Sequence, residues 1–261
     1  MAYFERIDDS MFRPTEHVGG AWAVDEQHIA PALGLLAHVV ERERDCRRDD
    51  GLTLTRLSYD IWGTVPIEPV EAHVRLLRPG RTVELAEAEL CHAGRRVVTL
   101  RAWSMKGRDT SQLAGSALRA IPGPDATPGW GAADVWPGGF ITSVEVRRTK
   151  HEPGRASFWV RTDHELVAGE PVTPTARAAG LVDIANGMAV RADPREVLFP
   201  NVDLTAHLFR EPDGDWLGFD TTVTFSADGL GLTSTVLHDV HGPLGTVAQM
   251  LTVRPMPRRD A

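Results

Sequence analysis

The segment "PTARAAGLVDIANGM", residues 174 to 188, has a counterpart in the first half of the chain. The counterpart is "PALGLLAHVVERE", residues 31 to 43, whose apolar residues recur at the spacing of a buried helix with proline in its first turn. We therefore predict two central helices, near residues 31 to 44 and 174 to 189.

Strand patterns accompany both helices. The spacing from Pro31 to Asp60 equals the spacing from Pro174 to Asp203, so the two halves can be aligned without a gap up to these aspartates. The first half continues with "IEPVEAHVRLL", "RTVELAEAEL" and "RRVVTLRAW". The second half has "NVDLTAHLF", "WLGFDTTVTF", "GLTSTVL" and "GTVAQMLTV". Within the first set, "VELAEAEL" is the weakest strand pattern, because its residues also have helical propensity.

Both halves end in a hairpin with His and Gly in the turn, "CHAGRR" and "DVHGPLG". One helix followed by several antiparallel strands, present twice, predicts an α+β fold of two similar units. Residues 121 to 139 contain four prolines and five glycines, a composition that interrupts helices and central strands. We expect an N-terminal repeat over residues 1–105, a linker over 106–139 and a C-terminal repeat over 140–261.

Composition excludes several classes of function. The chain has 261 residues and a formal net charge of −8, which disfavours a general nucleic-acid surface. Arg95 and Arg96, or Arg258 and Arg259, could still serve as local phosphate contacts. We expect a cytoplasmic protein without a membrane partner, since the chain shows neither a signal-peptide pattern nor a run of about 18 apolar residues.

Motifs for other kinds of site are weak. Two cysteines give no support for a disulfide framework or a thiolate metal site. The pair in "HDVH", residues 238 to 241, has metal-like spacing but no evident third ligand. The sequence also lacks a G-x-S-x-G nucleophile motif, a P-loop and a G-x-G-x-x-G dinucleotide motif. We therefore predict no metal and no cofactor.

The last strand pattern, "GTVAQMLTVR" at residues 245 to 254, places an amide on an apolar face. Side chains alternate along a strand, so Gln249 shares its face with Val247, Leu251 and Val253. A carboxamide buried without partners costs roughly 1–3 kcal/mol. Gln249 is therefore either satisfied by its neighbours or holds something in place.

Three stretches carry a resemblance to a known family: "GLVDIANGM", "NVDLTAHLFREP" followed by "DWLGF", and "GPLGTVAQMLTVR". Together they resemble the second-repeat helix, the following strand and the last strand of the TesB-like acyl-CoA thioesterase family, over roughly residues 15 to 105 and 140 to 255. The resemblance implies a double hot dog fold, in which two central helices are wrapped by antiparallel sheet. It also implies hydrolysis of an acyl-CoA thioester to a carboxylic acid and CoA.

The resemblance implies a hydrolytic site made of Asp183, Asn201 and Gln249. Asp183 would take a proton from water while the two amides orient that water. Asn201 stands where the family often has Thr, but an amide can also donate and accept hydrogen bonds. Considered singly, these residues have ordinary structural interpretations as a solvated helix Asp, a turn Asn and a satisfied amide.

The repeat favours the catalytic interpretation of these three residues. Their counterparts in the first half are Val40, Ser58 and Arg101. The combination of one carboxylate and two amides is therefore present only in the second half. A requirement of the fold itself would apply to both copies, whereas a single site at their interface needs one set.

The resemblance points to His28, Ile29 and Ala30, at the entry of the first helix, as substrate-binding residues, although His28 also suits a cap or packing role. Gly180 joins them because it lies on a face of small residues beside Asp183 on which a backbone or substrate could approach closely. Relatives often have a glycine pair where this chain has Ile29 and Ala30, which affects the shape of the substrate channel. Unpaired backbone N–H groups near residues 29 to 33 would hold the thioester oxygen, although Pro31 supplies none.

Two other functions are compatible with the same sequence features. One is a non-catalytic acyl-CoA-binding protein with the same fold. The other is a hot dog enoyl-CoA hydratase, although the D-x-x-x-x-H motif expected of it is absent. Release of free thiol from acyl-CoA separates hydrolysis from both. We also expect a homodimer or a higher homo-oligomer, since most soluble oligomers are built from identical subunits.

Overall fold

The computed structural model describes residues 1 to 20 and 22 to 256, so Arg258 and Arg259 lie outside the described residues. Its helices are α1 Ile29–Arg47, α2 Gly139–Thr142, α3 Pro174–Ala179 and α4 Ala185–Met188. Its strands are β1 Ala2–Arg6, β2 Met11–Pro14, β3 Leu52–Ile61, β4 Val70–Arg78, β5 Val83–His92, β6 Arg95–Lys106, β7 Val144–Glu152, β8 Arg155–Thr162, β9 Glu165–Val167, β10 Val197–Leu198, β11 Asp203–Leu208, β12 Leu217–Phe225, β13 Leu230–Asp239, β14 Gly242–Thr252 and β15 Arg254–Pro255.

One large sheet wraps the helices. Among the described residues it has 13 strands, in the order β7-β8-β12-β13-β14-β11-β3-β6-β5-β4-β2-β1-β9. Its pairs are antiparallel except for β1 with β9. The halves of the sheet meet where β3 pairs with β11, and there Asp60 lies opposite Asp203, the two aspartates that the sequence places in register. The predicted α+β double hot dog fold is confirmed.

The first central helix is buried along most of its length. Helix α1 begins at Ile29 and ends at Arg47, slightly beyond both predicted limits. Leu33, Leu35 and Leu36 are fully buried, because strands β3 to β6 wrap around this helix. The segment "VELAEAEL" lies in strand β5, as predicted, and its side chains alternate between the core and the outer face for part of its length.

The prediction of one continuous helix over residues 174 to 189 is wrong. Helix α3 ends at Ala179, a 3-10 turn follows at Val182–Ile184, and α4 completes the segment. At the break, Leu181 N–H bonds to the carbonyl of Ala178, three residues earlier, at 2.9 Å. This tighter pattern follows Gly180, which has a low helix propensity.

Close packing of the two helices explains the glycine at position 34. Gly34 of α1 faces Gly180 so closely that a Cβ atom built on Gly34 would lie 2.8 Å from the Gly180 Cα. Only glycine allows two backbones to approach this far. The break therefore lies at the helix crossing, one turn before Asp183.

The Pro- and Gly-rich segment packs along the second half, and Trp136 within it is part of the hydrophobic core. Its backbone bonds to strand β7, with Trp130 N–H donating to Val146 O at 2.9 Å. Two indole groups fix it further: Trp159 Nε1 donates to Pro122 O and Trp136 Nε1 donates to Gly187 O, each at 2.8 Å. In the described part of the chain, no helix is both long and apolar enough to cross a membrane.

Candidate active site

Asp183 is the point at which three distant parts of the chain converge. It lies in the 3-10 turn between α3 and α4 and is 6% exposed. Its Oδ1 accepts hydrogen bonds from Asn201 Nδ2 at 2.7 Å and from Gln249 Nε2 at 3.0 Å. The structure therefore brings together the three residues predicted to form the hydrolytic site.

Gln249 faces the core because of the register of strand β14. Its neighbours on the same face, Val247 and Leu251, are buried with it, and Gln249 itself is 0% exposed. The Nε2 group is satisfied by Asp183, whereas Oε1 is buried with no hydrogen-bond partner in the described part of the structure. A buried amide oxygen without a partner is costly unless a small polar molecule occupies the space beside it.

Asn201 is held by backbone pairing just before strand β11. It forms an isolated antiparallel bridge with Leu251, so the strand that carries Gln249 also positions Asn201. Its Nδ2 donates to Asp203 O at 3.1 Å as well as to Asp183. Both amide hydrogens are thereby used, and the side chain is fixed in one orientation.

Burial changes the proton affinity of Asp183. Removal from water raises the pKa of this carboxyl to about 7, and the hydrogen bonds from Asn201 and Gln249 act in the opposite direction. A carboxyl with a pKa near neutral can take up and return a proton at physiological pH, which is the requirement for a general base.

His28 lies beside Asp183 without forming an ion pair with it. Its Nδ1 is 3.9 Å from Asp183 Oδ2, but the same nitrogen accepts a hydrogen bond from Ala30 N–H at 3.2 Å. Burial lowers the pKa of His28 to about 3, so the ring is neutral. His28 is therefore the N-cap of α1, and it holds the start of that helix against the carboxyl.

The start of α1 offers one hydrogen-bond donor to a ligand. No acceptor among the described residues bonds to the Ile29 N–H, whereas the Ala30 N–H is occupied by His28. Pro31 has no N–H to offer. Among the first residues of the helix, Ile29 is thus the candidate donor for a substrate oxygen.

A pocket of ≈ 420 Å³ opens beside Asp183 and is mostly apolar. Its volume falls within the usual range for small-molecule sites. Its lining includes Trp22, Glu26, Gln27, His28, Ile29, Ile61, Trp62, Val65, Trp136, Ile141, Asp183, Ile184, Asn186, Gly187, Met188, Leu198, Asn201, Val202 and Arg254.

Two protein-family models match the chain in succession. The acyl-CoA thioesterase N-terminal domain matches residues 18–105, and the acyl-CoA thioesterase C-terminal domain matches residues 117–253. The chain belongs to the acyl-CoA thioesterase family. It is a thioester hydrolase, and the predicted membership of an acyl-CoA thioesterase family is confirmed.

Solved structures share the fold of this thioesterase over nearly its whole length. A hot dog protein of unknown function from Alicyclobacillus acidocaldarius has a TM-score of 0.74 and 15% identity, covering 97% of this chain and 96% of its own. A provisionally named thioesterase from Novosphingobium aromaticivorans has a TM-score of 0.71 and 20% identity, with coverage of 97% and 98%.

A third structure, the acyl-CoA thioesterase II TesB2 from Mycobacterium marinum, has a TM-score of 0.67 and 15% identity, covering 99% of this chain and 97% of its own. At these identities the likeness supports the fold alone. A search of curated proteins found no match.

The predicted substrate-binding residues of the thioesterase have different positions. His28 and Ile29 line the pocket. Ala30 is fully buried behind them, with its N–H bonded to His28. Gly180 does not line the pocket and lies at the helix crossing, where its backbone packs against Gly34.

The histidines of "HDVH" have separate partners in the structure. His238 lies between two carbonyl oxygens, at 3.1 Å from Val236 O and 3.0 Å from Arg119 O. His241 Nε2 pairs with Asp213. Within the residues that the structure describes, no group of three potential metal ligands is found.

Sequence reasoning missed the aromatic part of the pocket. Trp22 and Trp136 both line it, and Trp136 comes from the segment interpreted as a linker. A tryptophan is an unusual residue for a solvated linker, because it carries a large apolar surface. That composition was the available signal that the segment packs onto the protein.

Proposed function

We propose that this thioesterase hydrolyses acyl-CoA to a carboxylic acid and CoA, with Asp183 as the general base. The observation that carries the proposal is the pair of amide donors on Asp183 Oδ1 beside an apolar pocket. These donors fix the carboxyl while leaving Oδ2 to accept a proton. The raised pKa of Asp183 suits that role at neutral pH.

The reaction begins with a water molecule beside Asp183. Asp183 Oδ2, the carboxyl oxygen that neither amide contacts, accepts its proton as the water oxygen approaches the thioester carbon. Attack forms the new C–O bond and moves an electron pair onto the carbonyl oxygen. The amides of Asn201 and Gln249 keep the carboxyl in place throughout this step.

The Ile29 N–H stabilises the negative charge that develops on the carbonyl oxygen. This donor lies at the start of α1, where backbone N–H groups are unpaired and the helix dipole is positive. As the intermediate collapses, the C–S bond breaks and the sulfur leaves with its electron pair. Asp183 returns the proton to the CoA sulfur, so the carboxyl is ready for another turnover.

The chemistry of the pocket orients the substrate. An acyl group belongs in its buried apolar part, whereas the CoA moiety, which carries phosphates, belongs at the exposed rim. Arg254 is exposed on that rim and is a suitable phosphate contact.

Free thiol release from a panel of acyl-CoAs tests the proposed function. Wild-type protein should release CoA with the stoichiometry of hydrolysis, and Asp183→Asn should lose most of this activity. Thr246→Ala, an exposed change on the strand of Gln249, serves as the matched control and should keep it. A folded wild-type protein that binds acyl-CoA but releases no thiol would favour the non-catalytic alternative.

We further propose that the protein forms a homo-oligomer. Apolar side chains are exposed on its sheet surface, including Phe209, Leu230, Leu232 and Met250, and a symmetric contact would cover them. Light scattering tests this proposal, and a monomer at all concentrations would contradict it.

A further inference from the structure

Three aromatic rings pack edge to face beside the pocket. Trp22 lies 4.9 Å from Trp136 and 5.1 Å from Phe199 between ring centroids, with the planes nearly perpendicular in both pairs. Trp136 and Phe199 are 5.9 Å apart. Perpendicular aromatic pairs at these separations attract each other, so the three rings form one packed cluster. Hereafter we call this cluster the aromatic wall.

The aromatic wall stands at one side of the buried part of the pocket. Trp136 is 4% exposed, and the pocket residues Ile141, Ile184 and Met188 are also buried. By contrast, Trp62 and Val202 of the same pocket are 61% and 46% exposed and mark its rim. Because burial of its apolar surface stabilises a bound acyl chain, the chain will lie in the buried part of the pocket, next to Trp136.

Trp136 is fixed so that it presents hydrocarbon to the pocket. Its one polar group, Nε1–H, is bonded to Gly187 O at 2.8 Å and is not available to a ligand. Gly187 itself lines the pocket, and a Cβ atom built on it would meet Trp136 Nε1 at 3.4 Å. The indole therefore lies against α4, one helical turn beyond Asp183.

We infer that Trp136 limits the length of acyl chain that this enzyme accepts, with Trp22 completing the barrier. This inference rests on the proposed acyl-CoA hydrolysis. The substrate class is then acyl-CoA with a short or medium acyl chain. Each methylene that no longer fits a closed pocket costs on the order of tenfold in discrimination or more.

Equilibrium binding gives a test that does not depend on turnover. In an Asp183→Asn background, titration calorimetry would measure the Kd of octanoyl-CoA and palmitoyl-CoA before and after Trp136→Ala. We expect the added change to improve binding of palmitoyl-CoA relative to octanoyl-CoA by roughly tenfold or more. An unchanged ratio in a folded variant would overturn the inference.

Trp159→Ala is the matched control. Trp159 is also buried and also anchors the segment before β7 through its indole N–H, but it does not line the pocket. It should destabilise the protein without changing the ratio of the two Kd values. An equal change in both variants would mean that release of the segment, rather than removal of the barrier, sets selectivity, and would also overturn the inference.

Trp22→Ala keeps the test decisive if Trp136→Ala does not fold. Trp22 is 39% exposed, so its removal should leave the fold intact while opening the same wall. The ratio of Kd values should shift in the same direction, and no shift would contradict the inference. Kinetic measurements on wild-type protein distinguish failure of the proposed function from failure of this inference. Absence of thiol release refutes the proposed function. Hydrolysis with equal kcat/KM for octanoyl-CoA and palmitoyl-CoA refutes the role of Trp136.

Discussion

Gln249 Nε2 donates to Asp183 Oδ1 across 3.0 Å, joining the last strand of the sheet to the broken second helix. This bond satisfies half of a fully buried amide. Its other half, Oε1, is buried and has no hydrogen-bond partner in the described structure. The contact with Asp183 accounts for the inward orientation of Gln249.

Replacing Gln249 by Ala should lower kcat on the order of 10², because the water and the carboxyl lose their alignment. In wild type, the hydrogen bond from Gln249 lowers the pKa of Asp183. Its loss should therefore raise that pKa and move the midpoint of the pH–rate profile to higher pH. Stopped-flow thiol release across a pH series measures both effects. Thr246→Ala, on the outward face of the same strand, should change neither.

The role of Asn201 can be tested by replacing it with Thr, the residue that the family often has at this position. Asn201→Thr keeps a hydroxyl donor toward Asp183 Oδ1, so kcat/KM should stay within about tenfold of wild type. Asn201→Ala removes the donor that now lies 2.7 Å from Oδ1 and should lose more. Equal activity of the two variants would show that this contact plays no part in the reaction.

The pH dependence of the stability of the protein should also reflect the burial of Asp183. Because the pKa of Asp183 in the folded protein, about 7, lies above the ordinary value of 3.8 for an aspartate, the folded protein binds more protons than the unfolded chain between those two pH values. Wild type should therefore lose stability as pH rises from about 4 to 7, by up to a few kcal/mol from this group.

Asp183→Asn removes that titration. Urea unfolding should show the variant gaining stability relative to wild type as pH rises across the same window, and no pH-dependent gain below it. Glu41, whose pKa is raised to about 7 by burial, has the same sign and is present in both proteins, so it cancels in the comparison. A difference that is independent of pH would contradict the buried, uncharged character of Asp183 at low pH.

The helix crossing gives a prediction about packing. In Gly34→Ala, the added Cβ would meet the backbone of Gly180 at 2.8 Å, so the helices must separate. Overpacking of this kind costs roughly 1–3 kcal/mol. Gly107→Ala is the control, because nothing lies within 4 Å of its added Cβ and the change should be nearly neutral. Comparable loss in both variants would argue against a tight crossing.

The repeat in the sequence was sufficient to predict two similar α+β units because the two halves share local signals, whereas the double hot dog fold was implied by the family resemblance. Proline-initiated helices, aspartates at equal spacing and paired hairpins are properties of short segments. The pairing of Asp60 with Asp203 then follows from the duplication. What the repeat did not predict was the break after Ala179, which lies where this segment packs against Gly34 of the other half.

For the candidate site as well, local patterns and the resemblance predicted one part, and the other part depends on tertiary contacts. The three polar residues were found from local patterns and from the family resemblance, and they converge on Asp183 Oδ1. Gly180 was assigned to substrate because its small size suits either ligand contact or helix packing, and sequence does not separate these. The wall formed by Trp22 and Trp136 depends on tertiary folding of an irregular segment, for which periodicity gives no signal.

The most direct test of the account is single-turnover thiol release by Asp183→Asn. Asn has nearly the same shape and still fills the buried position, but it cannot accept a proton from water as a carboxylate does. The account predicts a folded protein that binds acyl-CoA and hydrolyses it on the order of 10² to 10⁴ times more slowly than wild type. Equal rates for the two folded proteins would contradict the assignment of Asp183 as the base.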